Sequence, residues 1–289
     1  MILLGILEQG LIYAVMALGV YITYKILDFP DLTVDGSFPL GAAVTAVLLL
    51  NGVNPYAALL AAFGAGAVAG LITGLIHVWA KVRDLLSGII TMTALYSLNL
   101  HIAGKANVPI FNQKTIFKLD ILPDLFKPYT VLLISFLVLA LAKLLLDLYL
   151  NTKSGYLLRA VGSNPMLVTT LAKESGRVKI VGLIISNGLV ALSGSVLCQQ
   201  QRFFEISMGT GTIVIGLATV IIGTKLFGHL NFLKATSAVI VGSVVYKACV
   251  ALAISLGFAA IDMKLITAIL FLAILLLGQR RQRSNAGTD

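Results

Sequence analysis

The chain has 289 residues, is 58% hydrophobic and only 11% charged, and carries a formal net charge of +9. A soluble domain has about 25% charged residues, and apolar surface on this scale without polar cover would aggregate in water, so lipid is the solvent for most of the chain. The positive charges lie between apolar segments rather than in one patch, which makes them loop charges that set membrane orientation and argues against nucleic acid as a partner.

Nine apolar segments follow one another at about 2–24, 33–50, 55–79, 85–104, 129–150, 179–200, 211–228, 234–256 and 264–278. With about 20 residues per crossing, residues 1–289 form one transmembrane domain with no room for a second, soluble one. Backbone groups in hydrocarbon must be satisfied within each segment, so the segments are helices. They run continuously apolar rather than alternating, which excludes a barrel. The expected fold is all-α: a polytopic bundle of about eight or nine transmembrane helices.

The first segment lacks a basic leader and a small-residue cleavage site, and is expected to remain as a span. The stretch Asp28-Phe29-Pro30-Asp31-Leu32-Thr33-Val34-Asp35-Gly36-Ser37-Phe38-Pro39 then interrupts the pattern with prolines and a glycine. Its carboxylates are costly at membrane depth unless they face water or protein, so the helix near 30–50 is expected to be broken or re-entrant. Solvated acids in an interfacial loop are the simpler reading. The other is a discontinuous helix lining a solute path, with Asp35, Gly36 and Ser37 as contacts.

In the third segment Gly66, Gly70 and Gly74 recur every fourth residue, with Ala58, Ala62 and Ala69 nearby, a ridge that lets two backbones approach closely. The fourth is polar for a span: Thr93, Tyr96, Ser97 and Asn99 are placed to line one side of a cavity. Hydrogen bonds between helices explain them equally well, and the same choice applies to Ser186 and Asn187 in the sixth segment. Residues 105–127 form an extracytoplasmic loop. In the fifth segment Lys143 and Asp147 are four apart on one face and are expected to pair. Cys198 and Cys249 sit in apolar runs as small buried filler. Lys247 stands alone in the eighth segment, to be matched with a neighbouring helix or protomer, or with an anionic solute group.

Four basic groups fall on one side if segments four to nine each cross once: Lys81 and Arg83; Lys153, Arg159, Lys173, Arg177 and Lys179; Lys225 and Lys234; and Arg280, Arg281 and Arg283. That side should be the cytoplasm, which makes 279–289 a cytoplasmic tail of a multi-pass cell-membrane protein. Nine full crossings place Met1 outside, whereas a re-entrant second segment places it inside.

The cytoplasmic stretch 151–178 reads as a short helix ending near Gly162, a turn at Ser163-Asn164-Pro165, and a second helix restarting at Pro165 with Met166 on an apolar side suited to a partner's groove. The block Thr152…Gly155…Leu158-Arg159-Ala160-Val161-Gly162-Ser163-Asn164-Pro165 with Arg177-Val178-Lys179 resembles the coupling loop of ATP-binding-cassette importer permeases of the branched-chain amino acid and ribose type. Ser186-Asn187-Gly188 through Gly194, then Met208-Gly209-Thr210-Gly211 through Gly228, are similar to that family's following segments in the same order. The resemblance implies a permease that pairs with a second copy or close relative, contacts a separate ATPase through Arg159, Gly162, Ser163, Asn164, Pro165 and Met166, and receives solute from an extracytoplasmic binding protein. It also implies that this chain binds no cofactor, the ATPase partner using ATP and Mg. Independently, no Gly-x-x-x-x-Gly-Lys phosphate loop occurs in the sequence. The solute path would involve Asp35, Gly36, Ser37, Thr93, Tyr96, Ser97 and Asn187. A stand-alone secondary transporter or channel is the alternative function; it predicts internal repeats and ion-coupling residues within the spans, and neither is seen.

Overall fold

The computed structural model describes residues 2–118, 128–163, 175–227, 234–257, 265–269 and 272. The helices are α1 (Ile2–Tyr21), α2 (Val34–Leu50), α3 (Pro55–Val78), α4 (Asp84–Ala103), α5 (Thr130–Leu150), α6 (Lys153–Ser163), α7 (Ser175–Gln201), α8 (Thr212–Phe227) and α9 (Ala235–Ser255). A π-helix, Ile22–Ile26, continues α1, and a 3₁₀ turn, Ile206–Gly209, precedes α8. Among the described residues seven helical stretches are long and apolar enough to cross a membrane, and the 17-residue α2 is a shorter eighth. Helix ends follow local chemistry. Asn54 accepts the Tyr56 N–H to cap α3, with Pro55 in its first turn, and Gly104 closes α4 in the left-handed region at φ 71°.

Pairing along α7 fixes direction. Ser193 and Ser186 donate to the carbonyls of Ile12 and Gly19, so α1 runs antiparallel to α7. Ser37 meets Asn187 and Thr45 meets Ser195, so α2 runs parallel to it. On α3, Gly66, Gly70 and Gly74 meet Asn187, Leu183 and Ile180 in turn, the antiparallel order. The backbones are close enough that a methyl group at Gly66 or Gly70 would collide with the Asn187 or Leu183 carbonyl. The glycine ridge is therefore the seam between α3 and the central helix. Pro39 lies inside α2 without ending it. The break in the 30–50 region comes earlier, at 27–33, and α2 then travels away from the α1 C-terminus rather than returning to it.

Two features exceed the sequence reading. Residues Asn107–Pro109 (β1) and Phe203–Glu205 (β2) form an antiparallel pair with Val108 opposite Phe204. α7, described from Ser175 onward, includes Arg177 and Val178 ahead of the apolar segment read at about 179–200. The two ends of the bundle are called below the α6 end and the β1/β2 end. α5 presents Leu133, Phe136, Leu137, Leu141, Leu144, Leu145 and Leu148 outward, the surface expected of a lipid-facing helix.

Candidate functional site

Between α2 and α4, towards the β1/β2 end, a cavity of about 340 Å³ is lined by Asp35, Gly36 and Pro39 of α2, by Met92, Thr93, Tyr96, Ser97 and Asn99 of α4, and by Ile206 and Thr210. Five of the seven pathway residues named from the sequence meet here: Asp35, Gly36, Thr93, Tyr96 and Ser97. α4 approaches α2 closely because Gly36 leaves space for Leu95, and Asn99 Nδ2 donates to the Gly36 carbonyl at 3.1 Å. The opposite side-chain atom, Asn99 Oδ1, is buried with no hydrogen-bond partner among the described residues. Thr93, Tyr96 and Ser97 are exposed, Tyr96 by 55%, so the α4 wall is a hydroxyl-bearing stripe on a membrane-length helix.

Asp35 does more than line the cavity. Its Oδ1 accepts from Ile213 N–H (2.7 Å) and Thr212 Oγ1 (2.8 Å), and its Oδ2 accepts from Gly211 N–H (3.0 Å). The carboxylate thus satisfies orphan amides at the α8 N-terminus, where negative charge is also favoured by the helix dipole. It ties α2 to α8 beside the opening of the cavity.

Ser37 and Asn187 lie elsewhere, fully buried between α2 and α7. Ser37 Oγ donates to Asn187 Oδ1 at 2.7 Å, and Asn187 Nδ2 donates to Asp31 Oδ2 at 2.7 Å. Asp31 Oδ1 accepts the Thr33 N–H at 2.9 Å, and Thr33 Oγ1 lies 2.8 Å from Thr73 Oγ1. This cluster anchors the broken 27–33 segment inside the bundle, which explains how the chain tolerates a carboxylate there.

At the α6 end, Gly162 packs so closely on the π-helix that an added methyl would collide with the Ile26 carbonyl. Ser163 Oγ donates back to the Arg159 carbonyl at 3.0 Å, and Arg159 is exposed. Asn164, Pro165 and Met166 lie outside the described residues. The Lys143–Asp147 pair forms at 2.8 Å. Two members of its network were not visible in the sequence: Thr236 Oγ1 donates to Asp147 at 2.7 Å, and Lys234 lies 3.6 Å away. Lys247 Nζ sits 3.5 Å over the Tyr13 ring and 3.4 Å from Gln9 Oε1, so α1 supplies its partners.

Comparison with known proteins shows what the chain as a whole is similar to. A family described as "Branched-chain amino acid transport system / permease component" matches residues 2–278. The chain is 47% identical over 276 residues to a tyrosine transport system permease protein of Clostridioides difficile, covering 96% of this chain and 91% of that one. It is 25% identical over 230 residues to the ribose import permease protein RbsC of Escherichia coli K12, covering 78% and 70%. Among solved structures, an ABC transporter described as of metal-chelate type and caught facing inward superposes with a TM-score of 0.54 at 16% identity, covering 96% of this chain and 84% of that one. That likeness is one of fold.

Proposed function

This chain belongs to the branched-chain amino acid transport permease family, and from that premise we propose that it is the membrane subunit of an ATP-binding-cassette importer carrying an amino acid, with tyrosine the first solute to test. The observation that carries the reading is the α2/α4 cavity. It gathers hydroxyl groups, one buried amide oxygen without a partner among the described residues and one carboxylate already committed to the α8 N-terminus. Transporter sites commonly lie where a discontinuous helix meets its neighbours, and α2 follows such a break. The exposed Tyr96, Thr93 and Ser97 of α4 call for protein or water rather than hydrocarbon opposite them, and a second copy of the permease meets that need by completing the pathway.

Energy reaches the site from the other end. Arg159, Gly162 and Ser163 close α6 against the π-helix, and Asn164, Pro165 and Met166 would extend from there into a cleft on the ATPase. Movement of α6 is passed to the α1 C-terminus because Gly162 leaves no slack at Ile26. ATP and Mg are used by that partner, no cofactor is held by this chain, and an extracytoplasmic binding protein hands over the solute. The α6 end faces the cytoplasm and the β1/β2 end faces outward, with the C-terminus cytoplasmic.

The test is co-expression with the ATPase and binding protein, reconstitution in vesicles, and measurement of ATP-dependent uptake of labelled tyrosine. The wild-type complex takes up solute. Pro165→Asp, placed in the docking segment, uncouples ATP hydrolysis from uptake while the permease still folds. Uptake without ATP, or full coupling in Pro165→Asp, refutes the scheme.

A further inference from the structure

At the α6 end, two cavities meet around Tyr21 and Arg159. One, of about 410 Å³, reaches to Asp147, Asn151, Lys234 and Thr236. The other, of about 490 Å³, reaches along the π-helix to Lys25, Asp28 and Gly162. Three cations from three separate elements therefore converge on one concave surface: Lys25 from the π-helix, Arg159 from α6 and Lys234 from the approach to α9. The facing carboxylates are Asp28 and Asp147, and Asp147 is already held by Lys143 at 2.8 Å and by Thr236. Arg159 pairs with no described carboxylate, and Lys234 remains 67% exposed at a long 3.6 Å from Asp147. The α9 N-terminus opens on the same cleft, and its N-cap residue Lys234 makes no side-chain cap bond, so its first amides add to the positive field.

We propose that this cleft binds a phosphate group. A planar guanidinium and two ammonium groups on separate elements suit several phosphate oxygens at once, and a permanently anionic group is the partner that relieves their mutual repulsion. The cleft lies where spans leave the bilayer, so the headgroup of an anionic phospholipid is one source; basic pockets between spans favour such headgroups. Inorganic or nucleotide phosphate is the other source. Occupancy would bridge α1, α6 and the start of α9, bracing the base of α6. The site does not depend on which solute is carried; it shares Arg159, Gly162 and Ser163 with the end of α6 assigned to ATPase coupling, so it is tested on the permease without the ATPase.

The test uses the full chain in nanodiscs made either of phosphatidylcholine alone or with phosphatidylglycerol added, with bound lipids counted by native mass spectrometry and melting temperature followed in parallel. If the source is lipid, phosphatidylglycerol is retained and raises the melting temperature. If the source is soluble, inorganic phosphate raises it in pure phosphatidylcholine discs. In either case Arg159→Gln with Lys234→Gln weakens binding by about tenfold or more, the loss expected for charge-assisted contacts. Both side chains are exposed, so the variant retains its fold. Lys153→Gln, at an exposed lysine on α6 outside the cleft, is the control. If neither ligand binds, or if the cleft variant and the control lose affinity equally, the cleft is not a phosphate site and only the surface charge of this face is at work.

Discussion

Asp35 illustrates how one side chain serves two elements. Three donors from 211–213 converge on its carboxylate, so Asp35→Asn keeps the shape but replaces one acceptor oxygen with an amide that cannot accept. Hydrogen bonds to charged groups contribute about 1.5–3 kcal/mol each, and the variant is expected to lose stability in that range. Chemical unfolding of the purified protein measures it, and unchanged stability would show that the α8 N-terminus needs no anion. This role was invisible in the sequence, because the donors lie far along the chain and belong to a turn whose position only the fold decides. The stripe Thr93, Tyr96, Ser97 was legible, since helical spacing alone puts those residues on one side. Ser37 and Asn187 show the limit of that reasoning. A hydroxyl or amide on an apolar helix looks the same whether it faces a water path or a neighbouring helix, and here the pair bond each other in the interior.

At the scale of the element, the seam between α3 and α7 allows a sharp comparison between two glycines on one helix. Gly66 lies against the Asn187 carbonyl, whereas Gly64 has nothing within 4 Å of where a methyl would stand. Gly66→Ala must push two backbones apart and is expected to cost about 1–3 kcal/mol, as overpacking does. Gly64→Ala is expected to be neutral or to gain up to about 1 kcal/mol from lower backbone entropy in the unfolded chain. Thermal melting of the two variants in the same detergent distinguishes them, and equal effects would mean that the seam is not in direct contact. The spacing of Gly66, Gly70 and Gly74 announced a close helix contact from sequence. It did not announce the partner, because small residues record only that a neighbour is near. The described part of α7 extends four residues ahead of the apolar segment 179–200 for a different reason. Arg177 is charged, which ends an apolar run but does not end a helix that continues into water.

For the whole molecule, the direction of α2 decides the side on which the chain's first half emerges. Hydropathy alone could not choose between a crossing and a re-entrant hairpin, because α2 is short, carries Pro39 within it and follows Asp28, Pro30 and Asp31. The packing chooses: α2 advances alongside α7 from Asn187 to Ser195, so the 51–54 turn belongs to the same end as the loop after α4. This gives a labelling experiment on intact cells in a Cys198→Ala, Cys249→Ala background. Asn51→Cys and Lys105→Cys, both at exposed positions, are expected to react with a membrane-impermeant maleimide from outside. Ala80→Cys and Lys153→Cys, exposed at the α6 end, react only after the membrane is opened. A re-entrant α2 would make Asn51→Cys behave like Lys153→Cys, and a reversed bundle would exchange the two groups. If the labelling comes out as expected, the five crossings α1 to α5 put the beginning of α1 outside. The basic residues around Lys81 and Lys153 stay on the side where a cytosolic ATPase can reach the end of α6.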